Sequence, residues 1–144
     1  MPAAVEEIIH EGNLYALIVR KDFHEPGIHF FTPANFSEQL AYIAHPAGHQ
    51  IRAHAHRDVS RDVVRTLEVL VVRKGRLRID LFTPRDEYIE SHVVGAGDVV
   101  LLAYGGHGFE VIEDCEMFEV KQGPYLGGDD KRPLAPGAPD SVPK

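Results

Sequence analysis

Residues 66–82 have the sequence TLEVLVVRKGRLRIDLF, in which two apolar runs flank the dipeptide Lys74-Gly75. Both runs, 66–73 and 77–82, are rich in Val, Ile and Leu, which favour β-strands. Glycine readily adopts the positive φ of a tight turn, so Lys74-Gly75 has the composition of a hairpin turn. The sequence therefore predicts two antiparallel strands joined at this dipeptide.

Similar short runs recur along the rest of the chain. Gly95-Ala96-Gly97-Asp98 and Glu113-Asp114 are expected to form turns between some of them. Residues 35–39 are compatible with one helical turn, and no long segment has an apolar period of 3.6 residues. The pattern predicts an all-β fold, an antiparallel sandwich or barrel. The further predicted strands are residues 14–20, 40–44, 99–102, 109–112 and 115–121.

Size and composition limit the class of protein. The chain has 144 residues, the length of one domain, and a net charge of −7, which argues against nucleic acid as a general partner. No window is long and apolar enough to span a bilayer, and residues 1–5 lack the pattern of a signal peptide. Cys115 is the only cysteine, which excludes an intramolecular disulfide and a cysteine-based zinc site. We expect a cytoplasmic protein with neither a nucleic-acid nor a membrane partner.

The candidate chemistry lies in the histidines. His54 and His56 are separated by one residue, so on an extended strand both side chains point to the same face. Glu68 has the parity of the apolar Leu70 and therefore faces the interior, where a carboxylate needs a partner or a metal. Imidazole and carboxylate groups suit Zn, Fe, Mn or Ni. With His107, these residues predict a site for one divalent transition metal.

The same residues resemble the two motifs of the cupin superfamily. Gly48 is followed by five residues and then by His54-Ala55-His56, and Glu68 is followed by six residues and Gly75. Eleven residues separate His56 from Glu68 where the cupin motif has three or four, so this insertion is expected to loop out. The second motif is matched by Gly97, Gly105 and His107, with His107 one residue early. The resemblance implies a double-stranded β-helix, or jelly-roll, barrel.

A closer resemblance is carried by residues 106–110, residues 119–125 and Asp130-Lys131. These stretches are similar to small cupin metalloproteins associated with surface-polysaccharide and sialic-acid-type sugar synthesis. The resemblance implies one cupin domain, 1–126, with N-terminal strands in 5–45 and a core in 46–123. A Pro- and Gly-rich tail, 127–144, follows, and its last ten residues are expected to be loosely ordered. The resemblance also implies a homodimer formed through an edge strand or by exchange of the β-patterned N-terminus.

The function implied is that of an enzyme. Three histidines and one glutamate leave an octahedral ion two open positions, which a catalytic metal needs. Isomerisation or epimerisation of a sugar or nucleotide sugar is the expected reaction, with the metal as Lewis acid. Arg52, Lys121 and Tyr125 are the candidate substrate contacts. The sequence identifies no catalytic residue beyond the metal ligands.

Three alternatives remain open at this stage. The same ligands suit an Fe(II) dioxygenase. Arg52-x-His54-Ala55-His56 also resembles the metal-free ketoisomerases of nucleotide sugars, which act by general acid–base catalysis. A non-catalytic cupin that binds a sugar or a metal and regulates a partner enzyme is the third.

Overall fold

The structure, a computed structural model, describes residues 4–134, in which every regular element is a β-strand. This part of the chain contains no helix that is able to cross a bilayer. The chain divides into two units, one formed by residues 4–23 and 65–134 and the other by His24–Val64. The expectation of a loosely ordered end concerns residues 135–144, which lie outside the described residues. The strands are β1 (Val5–His10), β2 (Asn13–Val19), β3 (Gly27–Phe30), β4 (Ala41–Ala44), β5 (Glu68–Phe82), β6 (Tyr88–Gly95), β7 (Val99–Leu102) and β8 (Gly106–Lys121).

The first unit is a six-stranded antiparallel sheet built around β5. Its strand order is β1-β2-β7-β5-β6, and β8 pairs with the other side of β5 along its whole length. The predicted turn at Gly95–Asp98 is confirmed, because it joins β6 to β7 and Asp98 N–H donates to the carbonyl of Gly95 at 3.0 Å. Strand β6 was not predicted, and β1 and β3 were expected only as N-terminal strands somewhere within 5–45.

The predicted hairpin at Lys74-Gly75 is wrong. Residues 68–82 form one continuous strand, and so do residues 106–121 across the expected turn at Glu113-Asp114. Gly75 does have a positive φ of 83°, but it lies in a series of register shifts between β5 and β8 instead of ending a strand. A Cβ placed on Gly75 would lie 2.0 Å from the carbonyl oxygen of Asp114. The two expected turns therefore pack against each other as a bulged bend in one long ladder.

This bend explains how β5 buries side chains along its whole length. Leu70 and Val72 belong to the hydrophobic core, and so do Leu77, Ile79 and Leu81. Val72 and Leu77 are separated by an odd number of residues. In an unbroken strand, the side chains before the bend and those after it would therefore point to opposite faces. The register shifts restore the same face to both groups.

The bend also brings the two ends of β5 close together. Glu68 is paired with Leu102 of β7, whereas Leu81 is paired with His107 of β8. Leu102 and His107 are five residues apart in sequence, so they are separated by at most about 18 Å. Glu68 and Leu81, which pair with them, are thirteen residues apart and would be about 43 Å apart in a straight strand. The sheet is therefore curled into a half-barrel, which supports the expected all-β, barrel-like architecture.

The second unit consists of a short hairpin and an irregular segment. Strands β3 and β4 pair antiparallel, and the loop between them is tied by Thr32, whose hydroxyl donates to Gln39 Oε1 at 2.8 Å. The expected helical turn at 35–39 is not formed; Phe36 N–H instead closes a turn onto the carbonyl of Pro33 at 3.0 Å. Residues 45–64 contain neither strand nor helix and are all exposed.

Candidate functional site

Glu68 is the first residue of β5, at the end of the ladder where β5 lies between β7 and β8. Its side chain is only 12% exposed. In the ladder it is paired with Lys121 on β8 and with Leu102 on β7, and it has the inward parity expected from Leu70. A buried carboxylate is costly unless a neighbouring group stabilises its charge.

That neighbouring group is His107. The Oε2 atom of Glu68 lies 3.3 Å from Nε2 of His107. The histidine follows a sharp connection between β7 and β8 in which Gly105 has a φ of 72°. A Cβ on Gly105 would lie 2.4 Å from the carbonyl oxygen of Phe82, so only glycine permits this path. The curl of the sheet and the glycine connection together bring the two predicted ligands into contact.

The charges around Glu68 favour its ionised form. A hydrogen bond from His107 lowers the pKa of Glu68 below its ordinary value and outweighs the opposing effect of burial, with the charges of Lys121 and Lys131 adding to the decrease. The glutamate is therefore a carboxylate at neutral pH. An ionised carboxylate of this kind accepts a proton or holds a cation.

A cavity of about 730 Å³ opens beside this pair. Its volume is that of a small-molecule site. Glu68 and His107 contribute to its wall with residues from β5, β8 and the segment that follows β8. The lining residues are Thr66, Glu68, Asp80, Phe82, Gly105, Gly106, His107, Gly108, Phe109, Glu119, Asp130, Lys131, Arg132, Pro133 and Leu134.

Glu68 and His107 fit the requirements of a metal site as two of its ligands. Two ligands about 2.1 Å from one ion at a tetrahedral angle are about 3.4 Å apart, close to the observed 3.3 Å. A carboxylate oxygen and an imidazole nitrogen are the donor types that divalent transition metals accept. Among the described residues of the first unit, no third His, Cys, Asp or Glu completes a ligand group.

The other two predicted ligands belong to the second unit. His54 and His56 lie in the irregular segment 45–64, not on the extended strand that the spacing predicted. Their rings are 5.2 Å apart and inclined by 75°, and Nδ1 of His54 lies 2.8 Å from the carbonyl oxygen of Arg52. All three side chains are exposed. Their participation in one metal site with Glu68 and His107 stays a prediction.

The predicted substrate contacts Lys121 and Tyr125 lie at the end of β8 and just after it. The Nζ atom of Lys121 is 3.4 Å from Oε1 of Glu119 and 5.5 Å from the centre of the Tyr125 ring. Burial acts to lower the pKa of Lys121, but the charges of Glu119, Glu68 and Asp130 raise it above its ordinary value. Lys121 is thus a neighbour of Glu68 and Glu119, and Tyr125 is a neighbour of Lys121. Neither Lys121 nor Tyr125 lines the cavity.

Sequence reasoning missed an ionic network around Asp80, the one member of the network that lines the cavity. The guanidinium of Arg78 donates to both oxygens of Asp80, at 2.8 and 3.1 Å, and also lies 3.0 Å from Oε2 of Glu110. Ser91 donates to Asp80, and its hydroxyl lies 2.8 Å from that of Tyr88. Arg78 and Asp80 are both buried and occupy one face of β5 at a spacing of two. That charged i, i+2 pair within an apolar strand was the available signal.

Comparison with known proteins gives no match: no family model, curated protein or solved structure is similar to this chain. The cupin resemblance therefore depends on the sequence motifs. The structure supports the coarser statement that the chain is all-β, with an antiparallel sheet curled into a half-barrel.

Proposed function

We propose that this chain is a metal-binding enzyme that acts on a small oxygenated molecule such as a sugar or nucleotide sugar. The observation that carries the proposal is the contact between Glu68 and His107 in the wall of a cavity of small-molecule size. The two residues come from the cupin-like motifs and from opposite ends of the same ladder. The resemblance of residues 106–110, 119–125 and Asp130-Lys131 to sugar-associated cupins supports a sugar as the substrate class.

Glu68 and His107 would hold the ion through Oε2 and Nε2. A divalent transition metal bound there would act as a Lewis acid that polarises a substrate oxygen and favours isomerisation or epimerisation beside a carbonyl. The carboxylate of Glu68 neutralises part of the cation charge, and its lowered pKa keeps that charge available well below neutral pH. Thr66 and Asp130, which are joined by a 3.3 Å hydrogen bond, add polar groups to the cavity wall.

The same contact supports a second function, general acid–base catalysis without a metal. A carboxylate beside an imidazole orients the ring and stabilises its protonated form, as in many catalytic pairs. Here His107 would donate a proton to a substrate oxygen or accept one from it, while Glu68 stabilises the charge on the ring. The reaction type is that of the metal-free ketoisomerase alternative, but Glu68 and His107 would carry it instead of Arg52, His54 and His56. The direct 3.3 Å contact is the observation that favours it.

Metal content separates the two functions. The protein, purified without a nickel column and reconstituted with Zn, Fe, Mn or Ni, is assayed by elemental analysis beside Glu68→Gln and His107→Ala. Near one equivalent in the wild type and loss in both variants supports the metal enzyme. His54→Ala tests in the same assay whether the second unit contributes a ligand.

The chain offers a matched control in a second carboxylate–imidazole pair. His92 Nε2 lies 2.7 Å from Oε2 of Glu90, and neither residue lines the cavity. Glu90→Gln should therefore retain the wild-type metal content. A wild-type protein without metal after reconstitution, or metal content unchanged in Glu68→Gln, would contradict the metal proposal. Turnover of sugars in the presence of a chelator, lost in His107→Ala, would then establish the acid–base function.

A homodimer is part of the same proposal. Strand β8 is long, and among the described strands it pairs with β5 alone, so its second edge is open for pairing. Exposed Phe109, Val111, Phe118 and Val120 on this strand offer apolar surface to a partner. Sedimentation equilibrium tests the proposal, and a mass equal to that of one 16.0 kDa chain would contradict it.

A further inference from the structure

The segment that follows β8 is part of the cavity. Residues 126–134, here called the strap, fall mostly in the predicted Pro- and Gly-rich tail. Two turns shape its first half, with Asp129 N–H donating to Leu126 and Lys131 N–H donating to Gly128. Its second half lines the cavity through Asp130, Lys131, Arg132, Pro133 and Leu134.

Polar contacts attach the strap to the sheet at two points. Thr66 donates to Oδ2 of Asp130 at 3.3 Å beside the start of β5. Arg132 donates to both oxygens of Asp86, at 3.1 and 2.9 Å, and to the carbonyl of Pro84 at 3.2 Å. A bidentate pair of this kind is geometrically specific, although the Arg132 side chain is 62% exposed and the contact is weak in energy.

An apolar contact adds a third attachment. A Cβ placed on Gly106 would lie 2.6 Å from Cδ1 of Leu134. The leucine therefore occupies the space that the glycine leaves free, next to His107. The strap is thus held at the start of β5, at the turn that follows β5 and at the start of β8, and its residues between these points face the cavity.

The charged groups of the cavity wall differ in whether they have partners. Glu68 contacts His107, Asp80 accepts from Arg78, Glu119 contacts Lys121 and Asp130 accepts from Thr66. Arg132 is bound to Asp86. Within the described part of the chain, the ammonium of Lys131 forms no hydrogen bond or ion pair. Lys131 is nevertheless close enough to Glu68 to contribute to the lowering of its pKa.

We propose that Lys131 binds an anionic group of the ligand, a carboxylate or a phosphate, and so selects anionic over neutral sugars. The proposal deepens the proposed function, since it names the substrate class of the same cavity. An ammonium without a carboxylate partner attracts a negative group without first breaking an ion pair. Because Lys131, Glu68 and His107 line the same cavity, an anionic group bound by Lys131 would share that cavity with the proposed reacting centre. This role differs from that of Lys121, whose charge is already paired with Glu119.

Three probes test the proposal on the full chain: glucose 6-phosphate, glucuronate and glucose. Their dissociation constants are measured by titration calorimetry with the wild type, Lys131→Gln and Lys131→Arg. We expect at least one anionic sugar to bind more tightly than glucose. Lys131→Gln should weaken that binding roughly tenfold, the effect of losing one charge-assisted hydrogen bond. Lys131→Arg should restore most of it, and binding of glucose should not change. The phosphate and carboxylate probes show which anion is preferred.

Lys21→Gln is the matched control, because Lys21 is exposed and does not line the cavity. Equal binding of the anionic probes to the wild type and Lys131→Gln would overturn the proposal, as would the absence of binding by both anionic probes. Metal content in Glu68→Gln tests the proposed function separately. The binding assay can therefore contradict the role of Lys131 while the metal assay supports the metal site. The metal assay can likewise contradict the metal site while Lys131→Gln still weakens the binding of an anionic sugar.

Discussion

The two halves of the predicted metal site lie in very different surroundings. Glu68 and His107 are fixed by the β5–β8 ladder and lie 3.3 Å apart. His54 and His56 lie in the exposed, irregular segment 45–64. Both halves offer suitable ligand types, and the sequence spacing of His54 and His56 is closer to the cupin motif than that of Glu68 and His107. Only the half that belongs to a sheet has its side chains positioned by backbone pairing, so a ligand motif alone does not specify a preorganised site.

The same contrast appears in the packing of the two units. Every buried apolar side chain among the described residues belongs to the first unit, and the second unit has only Thr32 buried. Burial of apolar surface is the main favourable contribution to folding. We therefore expect the free energy of unfolding to depend on substitutions in the first unit far more than on substitutions in the second.

The largest effect is expected at the bend. Gly75→Ala should lower the free energy of unfolding by about 4 kcal/mol or more. The new Cβ would collide with the carbonyl oxygen of Asp114, a backbone atom that cannot move aside unless strand β8 shifts. Gly12→Ala is the control, since Gly12 also has a positive φ, 79°, but nothing within 4 Å of a Cβ. Its cost should be about 1–2 kcal/mol. Equal losses in urea unfolding would show that the packing at Gly75 does not matter.

The next effect compares a core residue of the first unit with an exposed apolar residue of the second. Leu81 is 1% exposed and lies in the main core, so Leu81→Ala should cost about 2–5 kcal/mol through lost contacts and a cavity. Val64 is 94% exposed, and Val64→Ala should change stability by no more than about 0.5 kcal/mol. Chemical denaturation followed by circular dichroism measures both. A large loss in Val64→Ala would mean that Val64 is covered by a partner in solution.

Limited proteolysis extends the comparison to the backbone. Trypsin should first cut after Arg52, Arg57 or Arg61, where the backbone is exposed and belongs to no strand. The bond after Arg78, in the middle of β5, should be cut only after global unfolding. Mass spectrometry of early digests identifies the first site. An initial cut within β5 would contradict the difference in order between the two units.

The smallest effect concerns the only thiol. Burial, with a further contribution from Glu116, raises the pKa of Cys115 above its ordinary value. Because the thiolate is the reactive form, alkylation by iodoacetamide at pH 8 should be several-fold slower in the folded than in the urea-unfolded protein. The rate in the folded protein should keep rising at pH values where the unfolded rate has levelled off. Identical pH profiles would exclude a shifted pKa.

Local sequence patterns predicted the strands better than the way they pair. The apolar runs around Lys74-Gly75 are strand residues, and Gly75 does have a positive φ. A hairpin and a bulge both use that conformation. The choice between them depends on the carbonyl of Asp114, which is distant in sequence, so no local signal could decide it.

In the candidate site, too, local sequence patterns predicted burial but not the contact between distant residues. The inward parity of Glu68 follows from its spacing to Leu70, and the buried glutamate is confirmed. The contact with His107 depends on the curl of the whole ladder and could be expected only from the cupin resemblance. Most of the strap falls in the predicted Pro- and Gly-rich tail, for which the sequence indicated no contact with the sheet. Its attachment depends on hydrogen bonds, one ion pair and the contact of Leu134 at Gly106, which composition does not show.

The pairing of β5 with β8 also sets an order of assembly. Phe82 and Gly106 are the ladder partners nearest in sequence, and Glu68 and Lys121 are the most distant. Loop closure is easier for the nearer pair, so the ladder is expected to form from Phe82 toward Glu68. His107 is then in place early, and Glu68 joins it only when the last pairs close. The contact between Glu68 and His107 would therefore exist only in molecules that have completed the sheet, which makes it a direct reporter of finished folding.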